Sequence, residues 1–230
     1  MPPLFIGESM VGQGSWSMVF RSSPRPGELA FRTEISVLPL VIGHPRIIEF
    51  GGVIEGEEFN GLLFKEYANG DLATYIQQRG IQQISKSQRL KWCRQTTEAL
   101  VHIHSKNVAH CDLLPGNLLL DDKLDLYLAD FGSAFCEDKD KGIDGGMIPD
   151  AGFFDPNFCK IRLPYADIKD RLILNEDSED YQELVFHKLQ NSDFPDLTGI
   201  DIEIAKVIDG CWSRKFQTTS EVLVELQSEL

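Results

Sequence analysis

The chain has 230 residues, of which 42% are apolar and 25% charged, and a formal net charge of −14. Length and composition fit one globular domain, or two tightly joined lobes, with enough chain to bury a core. The acidity argues against a general nucleic-acid or anionic-membrane binder, because phosphate surfaces demand clustered Lys and Arg, and no apolar run approaches the roughly 20 residues that cross a bilayer.

The opening MPPLFIGESM has no basic region followed by a long apolar core, so no secretory signal is expected there. Cys93, Cys111, Cys136, Cys159 and Cys211 are odd in number, far apart and never in a CxxC pair. That spacing supports neither a disulfide framework nor a zinc site, and it predicts free thiols in a reducing compartment, the cytoplasm.

Residues 4 to 20 read as strand, glycine-rich turn, strand, with GQGSWS as the turn and Met18, Val19 and Phe20 opening the second strand. RSSPRPGE follows as a Pro/Gly/Ser loop, and residues 29 to 41 read as a short helix cut at Pro39. His44 to Tyr67 reads as two strands around a Gly/Glu turn. A short helix starts after Asn69–Gly70. From Ser87 to His104, small or apolar residues recur at Leu90, Cys93, Thr97, Leu100 and His104, widened by Trp92, Ala99 and Ile103. This is the clearest helix of the chain and a core helix. His102 and His104 fall on different faces of it, which does not suit a shared metal. A capping box from Thr218 to Glu221 opens a last amphipathic helix. The first third is therefore strand-rich and the rest mainly helical: an α+β chain, with a small β lobe joined to a larger α lobe near residues 65 to 71.

Residues 110 to 132 carry chemistry. Moving a phosphoryl group needs a carboxylate to orient the incoming hydroxyl, oxygen ligands for Mg²⁺ and positive charge on the phosphates. Asp112 and Asn117 stand five apart in a loop with Pro115 and Gly116, and Asp130 follows 13 residues after Asn117. Between them, Leu118 to Leu120, a DDK turn and Leu124 to Leu128 read as a hairpin that returns Asp130 beside Asn117.

This pattern resembles the catalytic loop and DFG loop of protein kinases, of the Ser/Thr type and the fungal style. His110 and Asp112 are similar to the histidine and aspartate of HRD, Asn117 to the metal-binding asparagine, and Asp130, Phe131 and Gly132 to DFG. Gly12-x-Gly14 with Val19 resembles the glycine-rich loop, with Ser17 in place of its third glycine. Glu34 resembles the glutamate of the helix beside the nucleotide, Glu66–Tyr67 the hinge, and Cys211–Trp212 a segment of the helical lobe. The resemblance implies a two-lobed kinase-like fold over 1–230, with an N-lobe of 1–66 and a C-lobe of 67–230, both shortened. It implies ATP and Mg²⁺ as cofactors and a protein substrate or a regulated protein as partner. Asp112 is the implied catalytic residue, and Asn117 and Asp130 are the implied metal ligands. Gly12, Gln13, Gly14, Ser15, Val19, Glu34, Lys65, Glu66 and Leu119 are the implied nucleotide contacts.

The chain departs from the family's pattern in four places. No lysine precedes Lys65, and Val19 and Glu34 are only 15 apart, so the segment with the phosphate-binding lysine is missing and Glu34 has no evident partner. Leu114 stands where Ser/Thr kinases carry a catalytic-loop lysine. Cys111 replaces the HRD arginine, which removes activation through a phosphorylated loop. Finally, Asp155–Pro156 stands in place of APE, and Ile168 to Leu174 is a weak substitute for the apolar helix that normally supports the catalytic loop. Lys65 offers one compensation, if its ammonium reaches Asp130 or Glu34; Arg32 is a second. These losses leave two alternatives to a working protein kinase: a pseudokinase acting as a binding or regulatory module, and a small-molecule kinase of the aminoglycoside or choline type, whose HGDxxPxN loop HCDLLPGN resembles.

Overall fold

The computed structural model describes residues 4–6, 9–11, 16–21, 27–55, 60–145, 191–194, 196–198, 200 and 202–228. They fall into two compact units, Met1–Gly146 and Met147–Leu230. The junction expected near residues 65 to 71 lies inside the first unit.

The first unit opens with an antiparallel sheet of β1 (Leu4–Ile6), β2 (Ser9–Val11), β3 (Trp16–Arg21), β4 (Phe50–Glu55) and β5 (Asn60–Lys65), in the order β1-β2-β3-β5-β4. The single strand expected before the glycine-rich turn is two strands paired Leu4↔Val11 and Ile6↔Ser9. Only Gly7 and Glu8 separate Ile6 from Ser9, the length and composition of a tight hairpin connection. This split makes the sheet five-stranded although the sequence between Val19 and Glu34 is short, because β3 pairs directly with β5 along its whole length. A bulge between Phe50 and Gly52 shifts the β4–β5 register.

Helix α1 (Gly27–Val41) runs through Pro39 instead of stopping there. Pro39 sits in the last turn with its ring exposed, so its missing N–H costs little before the helix ends. Val37, Leu38 and Val41 of α1 are fully buried. They join Leu62 and Phe64 of β5, and Ile103, Leu120, Leu128 and Phe131 from further along, in one core. Each such side chain contributes about 1.5–3 kcal/mol of burial.

Helix α2 (Leu72–Arg79) starts at Asp71, whose carboxylate accepts from the Thr74 N–H at 2.8 Å, and stops at Gly80, whose φ of 78° suits glycine. Helix α3 (Lys86–Ser105) is capped by Ser85, which accepts from the Gln88 N–H at 3.2 Å. Leu90, Trp92, Thr97, Ala99, Leu100 and Ile103 of the expected stripe are buried along it, Cys93 and His104 only partly, and Gln95 is buried as well.

Three small pairings follow: β6 (Val108–Ala109) with β9 (Phe135–Cys136), and β7 (Leu118–Leu120) with β8 (Leu126–Leu128) as a hairpin, while Asp71 bridges Leu119. The β7–β8 turn is an Asx turn in which one Asp121 carboxylate oxygen accepts from the Lys123 and Asp125 N–H groups at 2.9 and 2.8 Å. Leu124 adopts φ 58°, so β8 begins at Leu126, two residues later than expected. Reciprocal backbone bonds from Asn69 N to Leu120 O and from Leu120 N to Gly70 O tie the chain after β5 to this hairpin.

In the second unit, α4 (Ile202–Trp212) and α5 (Thr219–Ser228) are described. Gly210 is required there: a Cβ would lie 2.5 Å from the buried Phe216 ring. Trp212 stacks on Phe194 at 5.2 Å. The capping box forms, with the Glu221 N–H donating to Thr218 Oγ1 at 3.3 Å, but Glu221 reaches back to the Gln217 N–H, one residue earlier than the standard box. Asp155–Pro156 and Ile168 to Leu174 lie outside the described residues. Among those described, Cys93, Cys111, Cys136 and Cys211 are free thiols, and no helix is long and apolar enough to cross a membrane.

Candidate functional site

The site is built where the loop after β6 meets the loop after β8. The short turn Pro115–Asn117 swings Asn117 back toward Asp112. The Asn117 side-chain amide donates to the Asp112 carbonyl at 2.8 Å and to its carboxylate Oδ2 at 3.0 Å. From the other side, the Ala129 N–H donates to the Asn117 carbonyl at 2.9 Å, next to Asp130. The hairpin thus returns the second loop to the first, as the spacing requires.

His110 joins the two loops. Its ring is 3% exposed. Nδ1 accepts from the Asp112 N–H at 3.3 Å, so the proton sits on Nε2, which donates to the Ala129 carbonyl at 2.9 Å. The ring also lies against Phe131, with centroids 5.0 Å apart. One histidine therefore holds the backbone beside both Asp112 and Asp130.

Two non-glycine residues of the site adopt left-handed backbone, Cys111 at φ 63° and Asp130 at φ 58°. Such conformations cost about 1–3 kcal/mol and persist where neighbours over-determine them. Here the neighbours are visible. Cys111 is followed by the His110–Asp112 bond, and Asp130 Oδ1 accepts from the Gly132 N–H at 3.2 Å.

Helix α1 supports the second loop. Glu34 is 6% exposed and its Oε1 accepts from the Phe131 N–H at 3.4 Å. One turn earlier, Ala30 packs on Gly132 so closely that a Cβ on the glycine would lie 3.0 Å from the Ala30 Cβ. The expectation that Glu34 lacks an evident partner is thereby corrected: its carboxylate receives the Phe131 N–H.

Lys65 does not point the way the compensation idea requires. At the end of β5 its ammonium pairs with Glu49, and both side chains are substantially exposed. Lys65 N–H also donates to the Glu49 carbonyl at 3.0 Å, which fixes the two residues side by side. Glu66 is exposed, whereas Tyr67 is buried and its hydroxyl accepts from the Glu49 N–H at 3.0 Å. Burial raises the Tyr67 hydroxyl well above its ordinary pKa. Leu119 is partly buried against the core. Val19 lies in β3 opposite Leu62, and Gly12, Gln13, Gly14 and Ser15 lie outside the described residues, between two antiparallel strands. Leu114, in the place of a lysine, is 41% exposed.

The donor set fits magnesium. Asn117 commits its amide hydrogens to Asp112, so its Oδ1 and the Asp130 carboxylate are the hard oxygens that would hold such an ion. Among the described residues no group of three His, Cys, Asp or Glu side chains forms a metal site of its own. Two protein oxygens plus phosphate oxygens is the usual arrangement for Mg²⁺ bound with a nucleotide.

Comparison with known proteins agrees with this geometry. Residues 9–144 match the family model described as protein kinase domain. The chain is 35% identical over 103 residues to the phosphorylase b kinase gamma catalytic chain, liver/testis isoform, of Mus musculus and of Homo sapiens; this covers 45% of the chain and 25% of each relative. It is 36% identical over 108 residues to a probable receptor-like protein kinase of Arabidopsis thaliana, covering 45% of the chain and 31% of that relative. The alignments thus span about a quarter to a third of the length of these curated relatives.

Proposed function

This chain belongs to the protein kinase domain family, and from that premise we propose that it binds Mg–ATP and transfers the γ-phosphate to serine or threonine hydroxyls of a protein substrate. The observation that carries this reading is the Asn117 amide seated on Asp112, with His110 tying the same loop to the backbone beside Asp130. Asp112 is the base that orients the hydroxyl and accepts its proton. Asn117 and Asp130 would hold the metal ion, which when bound would neutralise charge on the phosphates. By the family resemblance, Gly12 to Ser15 would supply the nucleotide-covering loop. The free thiols at the four described cysteines support a reducing compartment such as the cytoplasm as its setting.

One observation favours a second reading, a binding or regulatory module without turnover. No lysine precedes Lys65, and Glu49 engages the Lys65 ammonium. Loss of positive charge beside the transferred group weakens transition-state stabilisation more than ground-state binding. The two readings separate in a transfer assay with radiolabelled ATP and a generic protein acceptor. Under the first, Asp112→Asn lowers the transfer rate by about 10²–10⁴. Under the second, wild type and Asp112→Asn both transfer nothing, while ATP binding persists in each.

A further inference from the structure

The stretch just beyond the metal loop folds back on itself. The Cys136 N–H donates to the Ile143 carbonyl and the Gly145 N–H to the Ala134 carbonyl, both at 3.0 Å, with Phe135 bridged to Asp144 between them. Burial alternates along both arms: Ala134, Cys136, Ile143 and Gly145 are buried, while Phe135 and Asp144 are exposed. That is the period of two paired strands with one face inward. Asp138 closes the turn. Its carbonyl accepts from the Lys141 N–H at 3.0 Å, and its carboxylate accepts from the Asp140 N–H at 3.2 Å and meets the Lys141 ammonium at 3.4 Å. Gly142 follows at φ 59°, a backbone that glycine adopts at no steric cost.

We propose that residues 134–145 are a self-bonded strap that clamps the metal loop to the strand leading into the catalytic loop, and that its backbone ladder takes the ordering role a phosphorylated segment would otherwise fill. The functional part of this inference rests on the Mg–ATP reading above.

The strap is fastened on both sides of the site. Along its other edge β9 pairs with β6, Phe135 opposite Ala109, directly before His110. The Glu137 N–H extends that seam by donating to the Asn107 carbonyl at 2.9 Å. At the far end Gly145 presses on the residue after Gly132 so closely that a Cβ would lie 2.6 Å from the Ser133 carbonyl carbon. The Ala134 N–H, at the start of the strap, donates to the Phe131 carbonyl at 3.1 Å. Opening the strap therefore frees the exit of the metal loop and one edge of the strand before His110 together. No Ser, Thr or Tyr occurs between Ser133 and Tyr165, so the strap itself offers no hydroxyl to a phosphate.

The test is hydrogen–deuterium exchange in the full chain at two amides, with the Mg–ATP Kd measured alongside. Cys136 reports the strap, and Ala129, whose N–H donates to the Asn117 carbonyl, reports the site. Wild type is compared with Gly142→Ala, which strains the turn without a clash, and with Gly145→Ala, which drives a methyl into the Ser133 backbone. Each variant should speed exchange at Cys136 by about fivefold or more, with Ala129 rising in step and Mg–ATP binding weakened about threefold or more. Phosphatase treatment of wild type should leave both amides as protected as before. Exchange at Cys136 that neither variant alters overturns the strap. A rise at Cys136 with Ala129 unmoved overturns its grip on the site, and protection lost to phosphatase overturns its independence of phosphate. Should Gly145→Ala not fold, Gly142→Ala, at an exposed turn, decides alone. A wild type that binds no Mg–ATP refutes the functional reading separately, while exchange without ligand still tests the strap.

Discussion

The side-chain amide of Asn117 donates twice to Asp112, to its carbonyl at 2.8 Å and to its carboxylate at 3.0 Å. One neutral side chain thereby closes the loop, aims the proposed base and turns its own oxygen toward the proposed metal. The proposed catalytic and metal-binding roles would be mechanically joined at this pair.

Asn117→Ala removes both bonds and the ligand oxygen. We expect a loss of about 1–3 kcal/mol in stability, from two hydrogen bonds of which one is to a charged group. Urea unfolding measures it. Affinity for Mg–ATP falls at least about tenfold, with affinity for ATP alone much less affected.

Gly132→Ala inserts a methyl 3.0 Å from the Ala30 Cβ and 3.2 Å from Asp130 Oδ1. The loop must shift away from α1, weakening Mg–ATP binding and costing about 1–3 kcal/mol, as overpacking does. Adding Ala30→Gly restores the room. Glycine in a helix costs about 1 kcal/mol alone, so the double variant binds Mg–ATP better than Gly132→Ala although each change alone destabilises. Additive effects in the double-mutant cycle would contradict the packing account.

Gln95 is 1% exposed and uses both ends of its amide. Oε1 accepts from the Leu126 N–H at 2.9 Å, and Nε2 donates to Asp125 at 2.6 Å. Asp125 also meets Lys91 at 2.9 Å and Arg46 at 3.5 Å. Burial pushes the Asp125 carboxyl upward, but the hydrogen bonds from Lys91 and Gln95 and the two cations hold it below its ordinary value. Gln95→Leu leaves a buried N–H unmet and removes one donor from the carboxylate. The expected cost is about 2–3 kcal/mol by urea unfolding, against about 1 kcal/mol or less for Gln95→Glu measured at a pH where the new carboxyl is protonated.

His44 predicts a pH dependence. Its ring stacks on His102 with centroids 4.5 Å apart, and its Nδ1 accepts from the Arg46 N–H at 3.2 Å. His102 in turn is anchored to the Val41 carbonyl at 2.8 Å, so the pair joins the end of α1 to α3. Burial lowers the His44 pKa below its ordinary value of 6.5, His102 and Arg46 lower it further, and Glu98 opposes them. The unfolded chain therefore binds this proton more readily than the folded one. The His44 contribution is complete above about pH 6.5 and is lost as pH falls below it toward the lowered folded value. Urea midpoints between pH 5 and 7.5 should fall less steeply on acidification in His44→Gln, which keeps an acceptor for Arg46 without titrating. Equal pH slopes in the two proteins would refute this.

Much of this was legible in the sequence because it rests on local chemistry. The helices after Asn69–Gly70 and from Ser87 form, Leu90, Thr97 and Leu100 of the expected stripe are buried while Cys93 and His104 are partly so, and the spacing from Asp112 to Asp130 brings the two loops together. What the sequence hid is long-range or backbone in nature. Gln95 looks like an exposed polar residue because pattern reading places polar groups outside, and only the hairpin beneath α3 gives it partners. Glu34 looked unpartnered because its acceptor role is met by a main-chain N–H, which carries no residue signature. Lys65 finds Glu49 through the packing of neighbouring chain segments, a pairing that spacing alone does not reveal. Leu124 turns left-handed because Asp121 receives the N–H groups on both sides of it.

The central claim, a Mg–ATP site built from Asn117 and Asp130, is tested most directly by thermal unfolding with ATP alone, Mg²⁺ alone and both together. A ligand at about 100 times its Kd adds about 2.7 kcal/mol, or several degrees for a chain of this size. The account predicts a rise of about 3 °C or more with ATP and Mg²⁺ together, much less with either alone, and its loss in Asp130→Ala. No shift with both present, or the same shift with and without Mg²⁺, would contradict it.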